Sequence, residues 1–170
     1  MGKTRSVVLI GMPGAGKSTL GVLLAKELAL DFVDTDVLIQ LREKKTLQEI
    51  IDASDYSHLR AIEGEVLAGA DLPNHVIATG GSAVYSPEGM KNLARLGPIV
   101  FLDCSAAELR RRIHNYDDRG IAKAPGQSFA DLFKERQALY RQYADITVRC
   151  DDGDLQQVLE RVLAALRAAY

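Results

Sequence analysis

Residues 6–19 read Ser-Val-Val-Leu-Ile-Gly-Met-Pro-Gly-Ala-Gly-Lys-Ser-Thr, and the reading of this stretch decides the fold. Residues 6–10 are apolar after the serine and show no alternation, the pattern of a strand covered on both faces. Basic residues precede that run, as in a signal peptide, but it stops after Ile10 at a glycine loop and reads as a buried strand. Residues 11–18 then satisfy G-x-x-x-x-G-K-[ST], with a helix expected over 17–28. Strand, glycine loop and helix in that order are the context in which this pattern cradles phosphate. Glycines let successive backbone N–H groups turn inward, and the helix adds the positive end of its dipole. Gly14, Ala15, Gly16, Lys17, Ser18 and Thr19 are therefore candidate ATP ligands. Lys17 supplies a point charge for the β- and γ-phosphates, and the Ser18 hydroxyl is placed for Mg²⁺.

Outward from this loop, short β-rich runs at 31–33, 76–78, 99–103 and 146–149 alternate with helical patterns. The helical patterns reach from the second strand to about residue 69, then recur at 87–96, 105–113, 128–143 and 154–168. Such a βα alternation predicts an α/β protein with a five-stranded parallel sheet flanked by helices, the three-layer P-loop NTPase fold. At 170 residues the chain is expected to be one domain. Thr46 with Glu49 and Ser105 with Glu108 have capping-box spacing, and Ser86 followed by Pro87 supplies another helix start. In the last helix Leu155, Val158, Leu159, Val162, Leu163 and Leu166 form one apolar stripe, read as core packing. Residues 114–127 lack periodicity and carry two glycines and a proline, which reads as a lid loop.

Composition removes several function classes. Lys plus Arg number 21 against 23 Asp plus Glu, a net charge of −2 that lacks the basic footprint of a nucleic-acid binder. No run approaches the roughly 18–20 apolar residues of a membrane span, so no membrane association is expected. Cys104 and Cys150 cannot form a disulfide framework, His58, His75 and His114 have no ligand spacing, and a reducing cytoplasm fits best. Neither N-K-x-D nor D-x-x-G occurs where a GTPase would need it. Asp34-Thr35-Asp36 instead follows the second strand, at the sheet edge where open α/β folds bind ligands. One carboxylate can face the metal and the other a substrate hydroxyl, and either can also cap the following helix.

These residues, together with Thr79-Gly80-Gly81 after the third strand and Arg136 in the run Glu-Arg-Gln-Ala-Leu-Tyr, make the chain resemble a shikimate kinase. The resemblance runs from about residue 6 to the final helix, and the combined order of Asp34, Asp36, Arg60, Gly80-Gly81, Arg119 and Arg136 is far more specific than the phosphate loop alone. It implies transfer of the γ-phosphoryl of ATP to the 3-hydroxyl of shikimate, in aromatic amino-acid biosynthesis, by a cytoplasmic monomer that uses Mg²⁺. It further implies that Asp34 holds the metal through water, and that Asp36 binds the accepting hydroxyl. Arg60 and Arg136 would grip the substrate carboxylate, a task that suits a guanidinium fork. Gly80 and Gly81 would bring backbone N–H groups to the ring, Arg112 would lie over adenine, and Arg119 would swing from the lid onto the γ-phosphate. On this basis the substrate-binding segment spans about 34–62 and the lid about 114–127.

Three departures fall on the acceptor and lid side. Ser82 stands where the family usually has a third glycine, Arg119-Gly120-Ile121-Ala122 where Arg-Pro-Leu-Leu is usual, and Leu59 where a phenylalanine is usual. Ser82 adds a hydroxyl near the ring, Leu59 removes a large apolar wall, and glycine for proline loosens the lid. A kinase of another polyhydroxy acid and a nucleotide-binding regulatory module therefore remain alternatives to shikimate phosphorylation.

Overall fold

The computed structural model describes residues 5–113 and 123–170. Its five strands are β1 (Val7–Ile10), β2 (Asp31–Asp34), β3 (His75–Ala78), β4 (Ile99–Asp103) and β5 (Ile146–Arg149). They form one parallel sheet in the order β2-β3-β1-β4-β5, as the alternation of apolar runs and helices predicts. Burial follows position in the sheet: β1 is buried along its whole length, whereas the edge strands β2 and β5 are largely half-exposed. From β1 the chain moves one way to β2 and β3, then crosses back to β4 and β5. The carboxyl end of β1 is thus the point where strand order reverses, and a crevice opens there.

The described helices are α1 (Lys17–Leu28), α2 (Thr35–Glu43), α3 (Leu47–Ala53), α4 (Tyr56–Ala68), α5 (Pro87–Leu96), α6 (Ala106–Arg112), α7 (Phe129–Tyr143) and α8 (Leu155–Ala169). Helices α1 and α8 pack together against the sheet, while α5 lies on β1 and α7 on β4. The main core gathers β1, β3 and β4 with α1, α5 and α8. A second, small core of Ile39, Ile50, Leu59 and Ile62 ties α2, α3 and α4 into one helical segment beside the sheet.

Local chemistry sets several boundaries. Thr46 and Glu49 form the reciprocal capping box that their spacing predicts, and Ser86 caps α5 with Pro87 in its first turn. Ser105 also caps its helix, but the Glu108 carboxylate turns to Arg111 and Arg112 instead of closing a box. Strand β2 runs one residue further than expected and α2 starts at Thr35, because the Asp34 carboxylate accepts the Asp36 N–H at 2.9 Å and caps the helix there. Five residues of the predicted stripe in α8 are buried, while Leu155, in the first turn, is 39% exposed. Of the expected lid, residues 114–122 lie outside the described residues and 123–127 form a turn leading into α7.

Candidate active site

The phosphate loop follows β1 directly. Gly16 caps α1 with φ +92°, a left-handed conformation that a side chain would strain. Lys17, only 7% exposed, donates its ammonium to the carbonyl oxygens of Gly11 at 2.7 Å and Met12 at 2.9 Å. Burial lowers its pKa to about 8, and the charge of Arg136 pushes the same way, against the carboxylates of Asp36, Asp34 and Glu63. An ammonium so desolvated gains strongly from any anion that reaches it.

One residue along, Ser18 Oγ donates to Asp34 Oδ2 at 2.5 Å, which joins the start of α1 to the end of β2. This hydroxyl and carboxylate are hard oxygen donors of the kind Mg²⁺ accepts when substrate phosphates and water complete its shell. Among the described residues no group of three or more His, Cys, Asp or Glu side chains could hold a metal alone. The donor set fits an ion that arrives with a nucleotide.

A cavity of about 450 Å³ joins this loop to the carboxylates and Arg136. Its phosphate end is lined by Gly14, Gly16, Lys17, Ser18 and Thr19, and its other end by Asp36, Glu63, Gly80, Gly81, Ser82 and Arg136. Ile39, Leu47 and Leu59 supply an apolar wall from the small core. Asp36 is pushed up to about 6, first by burial and then by the neighbouring Asp34 charge, with Lys17 and Arg136 opposing. Glu63 is pushed up to about 7 by its own burial and by Asp36, while the Ser82 hydroxyl, Arg136 and Lys17 pull it back.

The glycines after β3 are required by close approach. A Cβ on Gly80 would collide with Asp36 Oδ1 and stand 2.6 Å from Glu63 Oε2. One on Gly81 would stand 2.7 Å from both an Arg136 guanidinium nitrogen and Pro13 Cδ. The Gly80 N–H donates to the buried Thr35 Oγ1 at 3.2 Å. Ser82 does add a hydroxyl to the cavity, but that hydroxyl donates to Glu63 Oε1. The Gly81 carbonyl accepts from Tyr140 Oη at 2.6 Å, one turn along α7 from Arg136.

Arg136 is 1% exposed, whereas Arg60 does not line the cavity. Arg60 instead stacks on Tyr85, its guanidinium carbon 3.6 Å from the ring centroid. Of the three consecutive arginines ending α6, it is Arg112 that meets the phosphate loop. Its guanidinium reaches the carbonyls of Gly14 at 3.4 Å, Ala15 at 3.5 Å and Cys150 at 3.3 Å, while Glu108 holds its Nε at 2.9 Å. Arg110 lies over Phe129 and Arg111 pairs with Glu108 on the surface. A smaller cavity of about 260 Å³ opens beside Arg112, walled by the loop at 14–16 and by Cys150, Gly153 and Leu155.

The structure therefore brings together Lys17, Ser18, Asp34, Asp36, Gly80, Gly81, Arg112 and Arg136 around one crevice, with Arg60 at its margin. Arg119 lies outside the described residues. Sequence reasoning misses Glu63 and Tyr85. A charged residue on the buried side of α4, beside Leu59 and Ile62, was the available signal for Glu63. Cys104 and Cys150 are buried free thiols whose pKa burial raises.

The chain as a whole is similar to known proteins. The family model for shikimate kinase matches residues 13–167. A shikimate kinase of Caldanaerobacter subterraneus subsp. tengcongensis is 32% identical over 164 residues, which cover 95% of this chain and 95% of that protein. Among solved structures, the shikimate kinase of Acinetobacter baumannii in complex with shikimate superimposes with a TM-score of 0.86 at 26% identity, covering 97% of this chain and 94% of the other. That of Aquifex aeolicus gives 0.81 at 30% identity, with 96% and 97% covered.

Proposed function

The chain belongs to the shikimate kinase family, an ATP-dependent phosphotransferase whose acceptor is a hydroxyl of shikimate, and from that premise we propose how its own residues carry the transfer. The observation that supports the assignment is the single cavity with the phosphate loop at one end and Asp36 and Arg136 at the other. Two substrates bound at those ends would meet between Lys17 and Asp36. Holding acceptor oxygen and phosphorus in line is most of what such a reaction requires of a protein.

Backbone N–H groups of residues 14–19 and the start of α1 take the phosphates, and Lys17 neutralises charge on the β- and γ-groups. Mg²⁺ would be held by the Ser18 hydroxyl and, through water, by Asp34, and would supply further charge neutralisation for the phosphates. Asp36 orients the attacking hydroxyl and accepts its proton, and a carboxyl that titrates at about 6 is ionised at neutral pH yet basic enough for that task. Arg136 and Arg60 bind the carboxylate of the acid, and Arg112 supports the adenine beside the smaller cavity. Arg119 carries the remaining charge of the transition state from the lid, whose closing excludes water as a competing acceptor. No described helix is long and apolar enough to cross a membrane, and the two free thiols fit a reducing cytoplasm.

ADP release measured against a panel of hydroxy acids tests the assignment. Shikimate should support turnover well above the rest. Turnover with another acid alone would sink shikimate as acceptor, and no acceptor-dependent turnover at all would leave a nucleotide-binding module.

A further inference from the structure

We propose that Tyr85 is a positioning residue for acid recognition: its ring gathers the guanidinium groups of Arg60 and Arg136 into one anion-binding pair. The proposal rests on the reading of these two arginines as the carboxylate grip. The two come from elements far apart in sequence, Arg60 from α4 and Arg136 from α7. What they share is the Tyr85 ring, which ends the short 3₁₀ turn Ala83–Tyr85 just after the Gly80-Gly81-Ser82 wall of the cavity. The Arg60 guanidinium carbon stands 3.6 Å from the ring centroid and that of Arg136 stands 5.5 Å from it. A second ring, Tyr56, lies 4.9 Å from Arg60. The Tyr85 ring is itself anchored, because its hydroxyl donates to Glu135 Oε1 at 2.5 Å, next in sequence to Arg136, and the other Glu135 oxygen accepts from Gln127 at 3.2 Å.

Two partly desolvated guanidinium groups repel each other. Arg60 is held below its ordinary pKa first by burial, with the charge of Arg136 adding to it. A carboxylate placed between the two would relieve the repulsion, but it would take the same N–H donors that a ligand carboxylate needs. An aromatic face relieves it differently. Its quadrupole attracts the Arg60 cation through the flat side of the guanidinium and leaves the in-plane N–H fork out of that contact, while Arg136 also makes a side-chain hydrogen bond with the Tyr85 hydroxyl. Tyr85 therefore stabilises a pair of like charges in the geometry that a carboxylate of the acceptor then completes.

Steady-state kinetics with shikimate and ATP on Tyr85→Leu, Tyr85→Phe and Arg60→Ala test this. Tyr85→Leu should raise KM for shikimate by about five- to twentyfold, with KM for ATP within about twofold of wild type. Tyr85→Phe keeps the ring and should recover most of the lost affinity. The ATP value and a thermal unfolding curve report folding, and Tyr85→Met serves as a second ringless variant if Tyr85→Leu does not fold. An unchanged KM for shikimate in the folded ringless variant overturns the proposal. So does a Tyr85→Phe variant as impaired as Tyr85→Leu, which would assign the effect to the hydroxyl and its bonds to Glu135 and Arg136. Arg60→Ala separates the two layers of the inference: if it leaves KM for shikimate unchanged, the carboxylate grip itself fails, whereas a raised KM there beside an unaffected ringless variant at Tyr85 removes Tyr85 alone.

Discussion

The phosphate end and the acid end of the cleft are built on opposite principles. At the phosphate end the ligands are the backbone groups, the Lys17 ammonium and the Ser18 hydroxyl of one continuous stretch, residues 11–19, shaped by glycines and aimed by the first turn of α1. At the acid end they are side chains delivered by β2–α2, α4, the turn after β3 and α7, and they are buried charges that constrain one another. A backbone cradle tolerates change around it as long as the loop conformation survives. A cluster of buried charges is more sensitive, and what removing one member does depends on whether its charge was compensated by the others.

If the two ends are separable in this way, variants at each should damage different constants. The largest effect is expected for Lys17→Ala. It removes the one buried cation aimed along the phosphate loop, and kcat should fall by about a thousandfold or more, as when a key charge-stabilising donor is lost. Binding of shikimate measured by calorimetry should stay within about threefold of wild type. A large loss of acid binding in Lys17→Ala would break the division, because it would show that the ammonium holds the acid-end carboxylates in place across the cavity.

Arg136→Ala comes next and probes the other end. KM for shikimate should rise by about ten- to a hundredfold while KM for ATP moves by less than about threefold. The same change should lower stability by about 2–4 kcal/mol, since Arg136 is 1% exposed and its charge faces Glu63 and Asp36. Kinetics and thermal unfolding on one preparation check both. An equal rise in the two KM values would mean that the cleft works as one charge network.

The same contrast explains what the sequence made legible. The phosphate loop could be read completely because its ligands are contiguous and its context, strand before and helix after, is local. The sheet could be read because β1 and β4 are continuous apolar runs and their crossovers are helical in pattern. Asp34 and Asp36 were legible as a pair at a strand end, although the cap that starts α2 at Thr35 depends on which carboxylate turns inward. Glu63 and Tyr85 were not legible. Whether a glutamate on α4 faces Gly80 or solvent depends on how the small core of Ile39, Ile50, Leu59 and Ile62 seats that helix, and a tyrosine between two arginines exists only once α4 and α7 are both docked. The Gly80 N–H illustrates the same limit: glycine at this position was readable, but its use on Thr35 was not.

The smallest expected effect sharpens the comparison most, because it tests whether a buried carboxyl at the acid end carries an electrostatic cost that an anionic ligand does not relieve. Glu63 is 2% exposed and its carboxyl is pushed from 4.5 up to about 7 by burial and by Asp36. The folded state thus binds its proton more tightly than the unfolded chain does. The stability tied to that proton is full below about pH 4.5 and is lost as pH rises through about 7. Glu63→Gln copies the protonated form and carries no such dependence. Wild type and variant should therefore melt within about 2 °C of each other at the acid end of that window. At pH 8 the variant should melt higher by about 3–8 °C, or about 1–3 kcal/mol at this chain length. The phosphate end differs in sign: its buried charge is the Lys17 ammonium, whose pKa burial lowers to about 8 and which an arriving phosphate compensates. If Glu63→Gln melted below wild type at pH 8, the ionised carboxylate would be a net favourable partner of Arg136 and Lys17. The acid end would then be a balanced salt-bridge cluster, and its affinity for an anionic substrate would have to come from displacing Glu63 rather than from uncompensated positive charge.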